Sequence, residues 1–221
     1  VARGTTVMVV VGLGVIHVQH HGQDQARVDS LEAAPAKVFL EEGCPVVLVA
    51  RDAARLAATA AELSSLGQVE TCAADLSQGA ERERVAAAFP GIDILVNNAG
   101  AIPGGGLLDL SMERWAEAWS LKVMGYIHLT QSYLGRMKQR GSGTIVNIIG
   151  MAGRGPRYDY ICGGTGNAAL IAFTGAAGGK SVEWGVRIFG INPAATRTDR
   201  IVTLSKARAK TAHGDESRWQ E

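Results

Sequence analysis

Apolar residues fall in short unbroken runs, each closed by a polar or glycine-containing cluster, and the runs alternate with stretches of helical period. Residues 7–16, 45–50, 69–73, 92–96, 144–149 and 186–191 read as strands. Between them, residues 33–42 read as a helix, and 52–66 as an Ala-rich helix with Leu56 and Leu63 on one face. A further helix over 78–89 is stopped by Pro90-Gly91. Ser111 caps a long helix with Glu113 in its first turn. Trp115, Trp119, Val123, Ile127, Thr130 and Leu134 follow its period, and Gly141 ends it. A Gly/Ala-rich helix is expected from about 163 to 183. Most of the strands are predominantly apolar rather than alternating, which argues for burial on both faces. Such strands joined by helical crossovers predict an α/β fold: a doubly wound parallel sheet in three layers, as one domain over 1–221.

Right-handed crossovers then bring every strand's carboxyl end to one rim. Arg51, Asp75, Asn97 to Gly100, Gly150 and Pro193 to Thr198 all belong to that rim. Asn97-Asn98-Ala99-Gly100 is the most telling of these clusters. Its amides supply donors and acceptors, and its glycine admits a ligand to the backbone, at the place where open α/β sheets bind their ligands. A plain turn would use the same residue types, but convergence of six strand ends on one edge argues against six independent turns.

Composition narrows the class. The chain has 221 residues, 47% hydrophobic and 19% charged, which describes a soluble globular protein. The net charge of +1 gives no electrostatic case for nucleic acid or an acidic membrane surface. No apolar run is long enough to span a bilayer, and the apolar start behind Arg3 lacks a convincing cleavage site. Cys44, Cys72 and Cys162 are far apart, which fits small core residues in a reducing, cytoplasmic setting. His17, His20 and His21 have no acidic or cysteine partner at ligand spacing, so no metal site is expected.

The chain resembles the short-chain dehydrogenase/reductase family over about residues 37–201. The resemblance rests on Val49-Ala50-Arg51-Asp52, Ala74-Asp75-Leu76, Asp93-Ile94-Leu95-Val96-Asn97-Asn98-Ala99-Gly100, Ile145-Val146-Asn147-Ile148, Asn167-Ala168-Ala169-Leu170 and Ile191-Asn192-Pro193. It implies a Rossmann-like fold, a nicotinamide cofactor, and hydride transfer to or from a small-molecule carbonyl or secondary alcohol. It assigns Asp75 and Leu76 to the adenine, and Asn97, Ala99, Gly100 and Pro193 to the cofactor cleft. Thr198 goes to the nicotinamide carboxamide. Arg51 stands where members using the phosphorylated cofactor carry a basic residue, and a guanidinium fork suits a 2′-phosphate. Adjacent Asp52 reads better as the N-cap of the next helix. NADP(H) is therefore favoured, with NAD(H) as the alternative.

The chain departs from the family pattern in three places. The expected Gly-rich turn ahead of the helix at 33–42 is absent from 26–32. Gly12 and Gly14 come about a dozen residues earlier. Residues 1–32 are either out of the family's reading frame or a genuine insertion in which Gly12 and Gly14 serve the phosphates. At the chemistry, Gly150 stands at the family's serine, Gly163 at its tyrosine, Asn167 at its lysine and Lys122 at its asparagine. Lys122 and Asn167 look like an exchange between facing positions. Tyr160, about one helical turn before Gly163, could present a phenol to the same space. On that reading Tyr160 is the proton donor, Lys122 its electrostatic partner and Asn167 a ribose or water contact. On the other, Lys122 is a solvated lysine, Tyr160 a loop aromatic, and the protein a catalytically inactive nucleotide-binding or interaction module. Finally, 206–221 is charged and lacks the last strand that family members carry. A homo-oligomer is expected, weakened by that lack.

Overall fold

The computed structural model describes residues 4–10, 34–100, 102–193, 205–206, 209–210 and 213–219. Among the described residues, six strands form one sheet: β1 Val7–Val10, β2 Val46–Ala50, β3 Val69–Ala73, β4 Ile94–Asn97, β5 Gly143–Ile148 and β6 Val186–Ile191. All five pairings are parallel, in the order β3-β2-β1-β4-β5-β6. The helices are α1 Ala34–Glu41, α2 Ala53–Leu63, α3 Gly79–Ala88, α4 Met112–Arg140 and α5 Ile161–Ser181. The expected doubly wound, three-layer architecture is what the chain forms.

The apolar runs explain the layers. Successive side chains of a strand point to opposite faces. Val7 and Val9 of β1 join Ala36 and Leu40 of α1 and Leu56 and Leu63 of α2 in one core cluster. Met8 and Val10 join Val85 of α3 and Leu129, Tyr133 and Met137 of α4 in the other. Full burial of each large aliphatic chain contributes about 1.5–3 kcal/mol, and both clusters meet at β1 and β2. The three cysteines are free and buried, as expected for core residues.

The helix signals act where the sequence places them. Asp52 caps α2, its carboxylate accepting from Arg55 N–H at 3.0 Å. Ser111 Oγ accepts from Arg114 N–H at 3.4 Å, and Gly141, with φ 72°, closes α4 in the left-handed conformation. The glycine-rich α5 lies unusually close to its neighbours. A Cβ at Gly178 would overlap the Ile188 carbonyl of β6, and one at Gly166 would stand 3.1 Å from Val123 Cγ2 of α4.

Two boundaries differ from expectation, at β4 and α5, and a third lies partly outside the described residues. β4 continues through Asn97, whose backbone pairs with Val10 and Asn147. The first strand is described only over Val7–Val10, so the rest of the expected 7–16 run lies outside the described residues. α5 begins at Ile161, about two residues earlier than the sequence pattern indicates, because Gly164 N–H bonds the Tyr160 carbonyl at 2.8 Å. Glycines in that first turn carry no side-chain period, which hid the start.

Candidate active site

With every strand parallel, the rim is a single edge. Arg51 follows β2, Asp75 lies just past β3, Asn98 to Gly100 follow β4, Ile149-Gly150 follow β5, and Asn192-Pro193 follow β6. The strand order reverses between β1 and β4, the position where ligands enter such sheets. Asn98 N–H donates to the Val10 carbonyl at 3.1 Å across that junction. Gly12 and Gly14 come just after β1 in sequence. They and Thr198 lie outside the described residues, as do His17, His20 and His21.

Asn97 supports the crevice from beneath. It is fully buried, and its Nδ2 donates to Asn147 Oδ1 at 2.9 Å and, longer, to Thr130 Oγ1 at 3.4 Å. Asn147 Nδ2 donates in turn to Thr174 Oγ1 of α5 at 2.9 Å. The chain ties β4, β5, α4 and α5 together below the rim. The Nδ2 of Asn97 is thus engaged inside the protein, while its buried Oδ1 has no hydrogen-bond partner among the described residues. Ala99 is buried beside it. Gly100 packs on the stem of Lys122, where a Cβ would collide with Lys122 Cδ and stand 3.2 Å from its Cβ and Cγ.

Lys122 and Asn167 meet on one backbone segment. Lys122 Nζ donates to the carbonyls of Ile148 at 3.0 Å and Ile149 at 3.2 Å. Asn167 Nδ2 lies 3.4 Å from the next carbonyl, that of Gly150. The same nitrogen is 3.1 Å from where a Cβ at Gly150 would stand, and Gly150 has φ 119°, which disfavours any side chain. Among the described residues, Asn167 Oδ1 is buried with no hydrogen-bond partner, and so is Asn192 Oδ1 on the neighbouring strand end. Tyr126 completes the support. Its hydroxyl donates to Ile148 O at 3.0 Å, and its ring lies 5.2 Å from Lys122 Nζ. Burial pushes the Tyr126 hydroxyl well above the ordinary tyrosine range, so it remains a donor.

Tyr160 sits immediately before α5, half-buried against the Ile102, Ala118 and Cys162 cluster. Its ring covers Gly163. A Cβ there would overlap Cζ and Cε1 and stand 2.6 Å from Oη. The loop after β4 fastens to the same place. Gly105 N–H donates to Asp159 O at 2.8 Å, and a Cβ at Gly106 would overlap the Tyr158 ring. Pro193 O accepts from Met151 N–H at 3.1 Å, joining the β5 and β6 exits.

At the far end of the rim, Arg51 is exposed. Asp75 Oδ1 accepts from Ser77 N–H at 3.1 Å and Ser77 Oγ at 2.8 Å, and Leu76 is buried. The sequence pattern carried no sign of Tyr126 or Thr174, because single polar groups on buried helix faces leave no periodic signal, and it showed Thr130 only as one position of the α4 period. Asn147 was visible as a polar residue inside an apolar strand, in register with Asn97. Among the described residues no cluster of His, Cys, Asp and Glu could hold a metal, and no helix is long and apolar enough to cross a membrane.

Comparison with known proteins agrees with this geometry. Residues 30–209 match the family model for short chain dehydrogenases. The uncharacterized oxidoreductase YvrD of Bacillus subtilis is 31% identical over 189 residues, covering 82% of this chain and 70% of that protein. The 2,3-dihydro-2,3-dihydroxybenzoate dehydrogenase of the same organism is 28% identical over 171 residues, covering 75% of this chain and 66% of that protein. L-sorbose reductase from Gluconobacter frateurii, solved with NADPH and L-sorbose, aligns with a TM-score of 0.78 at 26% identity, over 98% of this chain and 80% of that one. A short-chain dehydrogenase from Sphingobium yanoikuyae in complex with NADPH gives 0.76 at 28% identity, over 88% and 72%.

Proposed function

Because the chain belongs to the short-chain dehydrogenase family, whose members use NAD(P), we propose that it is an NADP(H)-dependent oxidoreductase acting on a small carbonyl compound or secondary alcohol. The observation that carries the reading is the Tyr160 ring over Gly163. A phenol from the residue ahead of α5 occupies the volume in which the family tyrosine would begin.

The residues present fit a nicotinamide dinucleotide. The unpartnered, buried Asn167 Oδ1 is an acceptor suited to a ribose hydroxyl, and Asn192 Oδ1 adds a second acceptor on the rim. Asp75 and Leu76 would hold the adenine, and Ala99, Gly100, Pro193, Gly12, Gly14 and Thr198 would line or close the cleft. Exposed Arg51 suits a 2′-phosphate. The Asp52 carboxylate beside it is turned to the first turn of α2, which supports the NADP(H) preference. When bound, the nicotinamide supplies the hydride chemistry. Tyr160 gives its phenolic proton to the substrate oxygen in reduction and takes it back in oxidation. The Lys122 ammonium, fixed on the β5 carbonyls, is the cation that this reading pairs with the phenol. Asn167 Nδ2 offers a donor beside Gly150, where the family places a hydroxyl.

The loss of both family side chains at Gly150 and Gly163 favours a second reading, a nucleotide-binding or interaction protein without turnover. Titration of NADPH and NADH into the purified protein, followed by assay on a broad carbonyl panel, separates the two. The first reading expects tighter NADPH binding with turnover. NADPH binding with no turnover favours the second, and binding of neither cofactor overturns the first together with the nucleotide-binding form of the second.

A further inference from the structure

The most unusual buried group outside the crevice is Arg82 on α3, only 8% exposed. Its Nη1 donates to three carbonyls: Leu76 at 2.7 Å, Ser77 at 3.1 Å and Ser120 at 3.2 Å. Its Nε donates to His128 Nδ1 at 2.9 Å. Burial pulls the Arg82 pKa downward, yet a guanidinium stays charged in a protein. All four recorded bonds go to neutral acceptors. An apolar side chain would occupy such a slot with a smaller desolvation cost, so the retained charge points to a geometric task.

That task can be read from what the guanidinium holds. Leu76 O is held by Arg82, while Ser77 N–H is held by Asp75 Oδ1. Both ends of the Leu76–Ser77 peptide are therefore fixed, and with them the turn that follows β3. The other bonds reach α4 at Ser120 and His128, and Ser120 lies two residues before Lys122. A single side chain thus joins the turn at one end of the rim to the helix that carries the site's cation.

We infer that Arg82 is a positioning residue for the adenine half of the cofactor, holding the 75–77 turn in its binding conformation against α4. The inference rests on the reading above, in which Asp75 and Leu76 contact the adenine. Arg82 touches no ligand itself. It acts by fixing the peptide that does, and His128 acts by orienting the guanidinium.

The test compares wild type, Arg82→Met, Arg82→Lys and His128→Leu. Each is titrated with NADPH and with adenosine 2′,5′-bisphosphate, and assayed at varied NADPH. Arg82→Met is expected to weaken both ligands by about tenfold and to raise the KM for NADPH in step. Its kcat at saturating NADPH is expected to stay within about twofold of wild type. Arg82→Lys, which keeps a cation but loses the fork, recovers part of the affinity. His128→Leu loses affinity in the same pattern, by a smaller factor. A folded Arg82→Met protein with unchanged affinity for both ligands overturns the inference, as does a fall in kcat at constant KM. If Arg82→Met does not fold, unchanged bisphosphate affinity in His128→Leu overturns it equally. Wild type that binds neither ligand overturns the cofactor reading itself, whereas wild type that binds alongside indifferent variants overturns only the role of Arg82.

Discussion

The aromatic ring of Tyr160 lies directly over Gly163, so that a single methyl group at 163 would overlap it and stand 2.6 Å from its hydroxyl oxygen. In the proposed function, this pair moves one functional group by about one helical turn. The glycine is the condition for the tyrosine, because only an absent side chain leaves room for the ring.

This relationship gives a paired prediction. Tyr160→Phe keeps the ring and loses the hydroxyl, and should lower kcat by about 10²–10⁴-fold with NADPH affinity retained. Gly163→Ala keeps the hydroxyl and displaces the ring, and should lower kcat in the same direction. Steady-state kinetics with NADPH titrations check both. Full turnover in Tyr160→Phe would remove the phenol from the mechanism.

Arg51 sets cofactor choice in the proposed function. Its removal in Arg51→Ala should weaken NADPH by about tenfold or more, since hydrogen bonds to charged groups contribute about 1.5–3 kcal/mol, and leave NADH nearly unchanged. The ratio of the two dissociation constants is the readout, and equal losses for both cofactors would exclude a 2′-phosphate contact.

The buried amide chain beneath the crevice gives a stability prediction. Asn147→Ala deprives Thr174 Oγ1 of its 2.9 Å bond and leaves Asn97 Nδ2 with only the longer 3.4 Å contact to Thr130 Oγ1. Each stranded buried group costs about 1–3 kcal/mol, and a chain of this size loses roughly 2–4 °C of melting temperature per kcal/mol. Thermal unfolding followed by circular dichroism measures this, and an unchanged midpoint would mean that water replaces the amide without loss.

Burial raises the pKa of both Tyr126 and Tyr133 in the folded chain. In the unfolded chain both ionise near the ordinary value of about 10. Above that pH the unfolded state binds fewer protons than the folded one, so stability falls as pH rises. Below it the two states are equally protonated and these groups add no slope. Urea unfolding across the alkaline range should show the fall, and Tyr133→Phe should reduce it. A slope unchanged by that substitution would assign the alkaline loss to other groups.

Legibility followed the side chains. The strands β2 to β6 were readable to within a residue or two: β2 and β4 because central strands write near-continuous apolar runs, and the largely exposed edge strands β3 and β6 because short runs between helical stretches still stand out. The caps Asp52, Ser111 and Gly141 were readable because each residue type acts locally. The positions of Lys122, Asn167 and Tyr160 were legible only as substitutions against a family pattern. That Lys122 and Asn167 reach consecutive carbonyls of the β5 exit required the fold, since the contact spans two helices and a strand. Arg82 was invisible for a related reason. In a charged helix such as α3, one inward-facing arginine among Glu81, Glu83 and Arg84 looks like part of the solvated surface.

The helix that carries Gly163 and Asn167 also contains Gly164, Gly166, Gly175, Gly178 and Gly179. Each glycine in a helix interior costs roughly 1 kcal/mol relative to alanine. The segment therefore has little intrinsic tendency to coil into this form, and a synthetic peptide of residues 161–181 should give a random-coil spectrum in water. Its shape is borrowed from β6 and α4. The segment consequently keeps its helical form only while the sheet and α4 are in place beside it, so any loosening of β6 would be felt first along this helix.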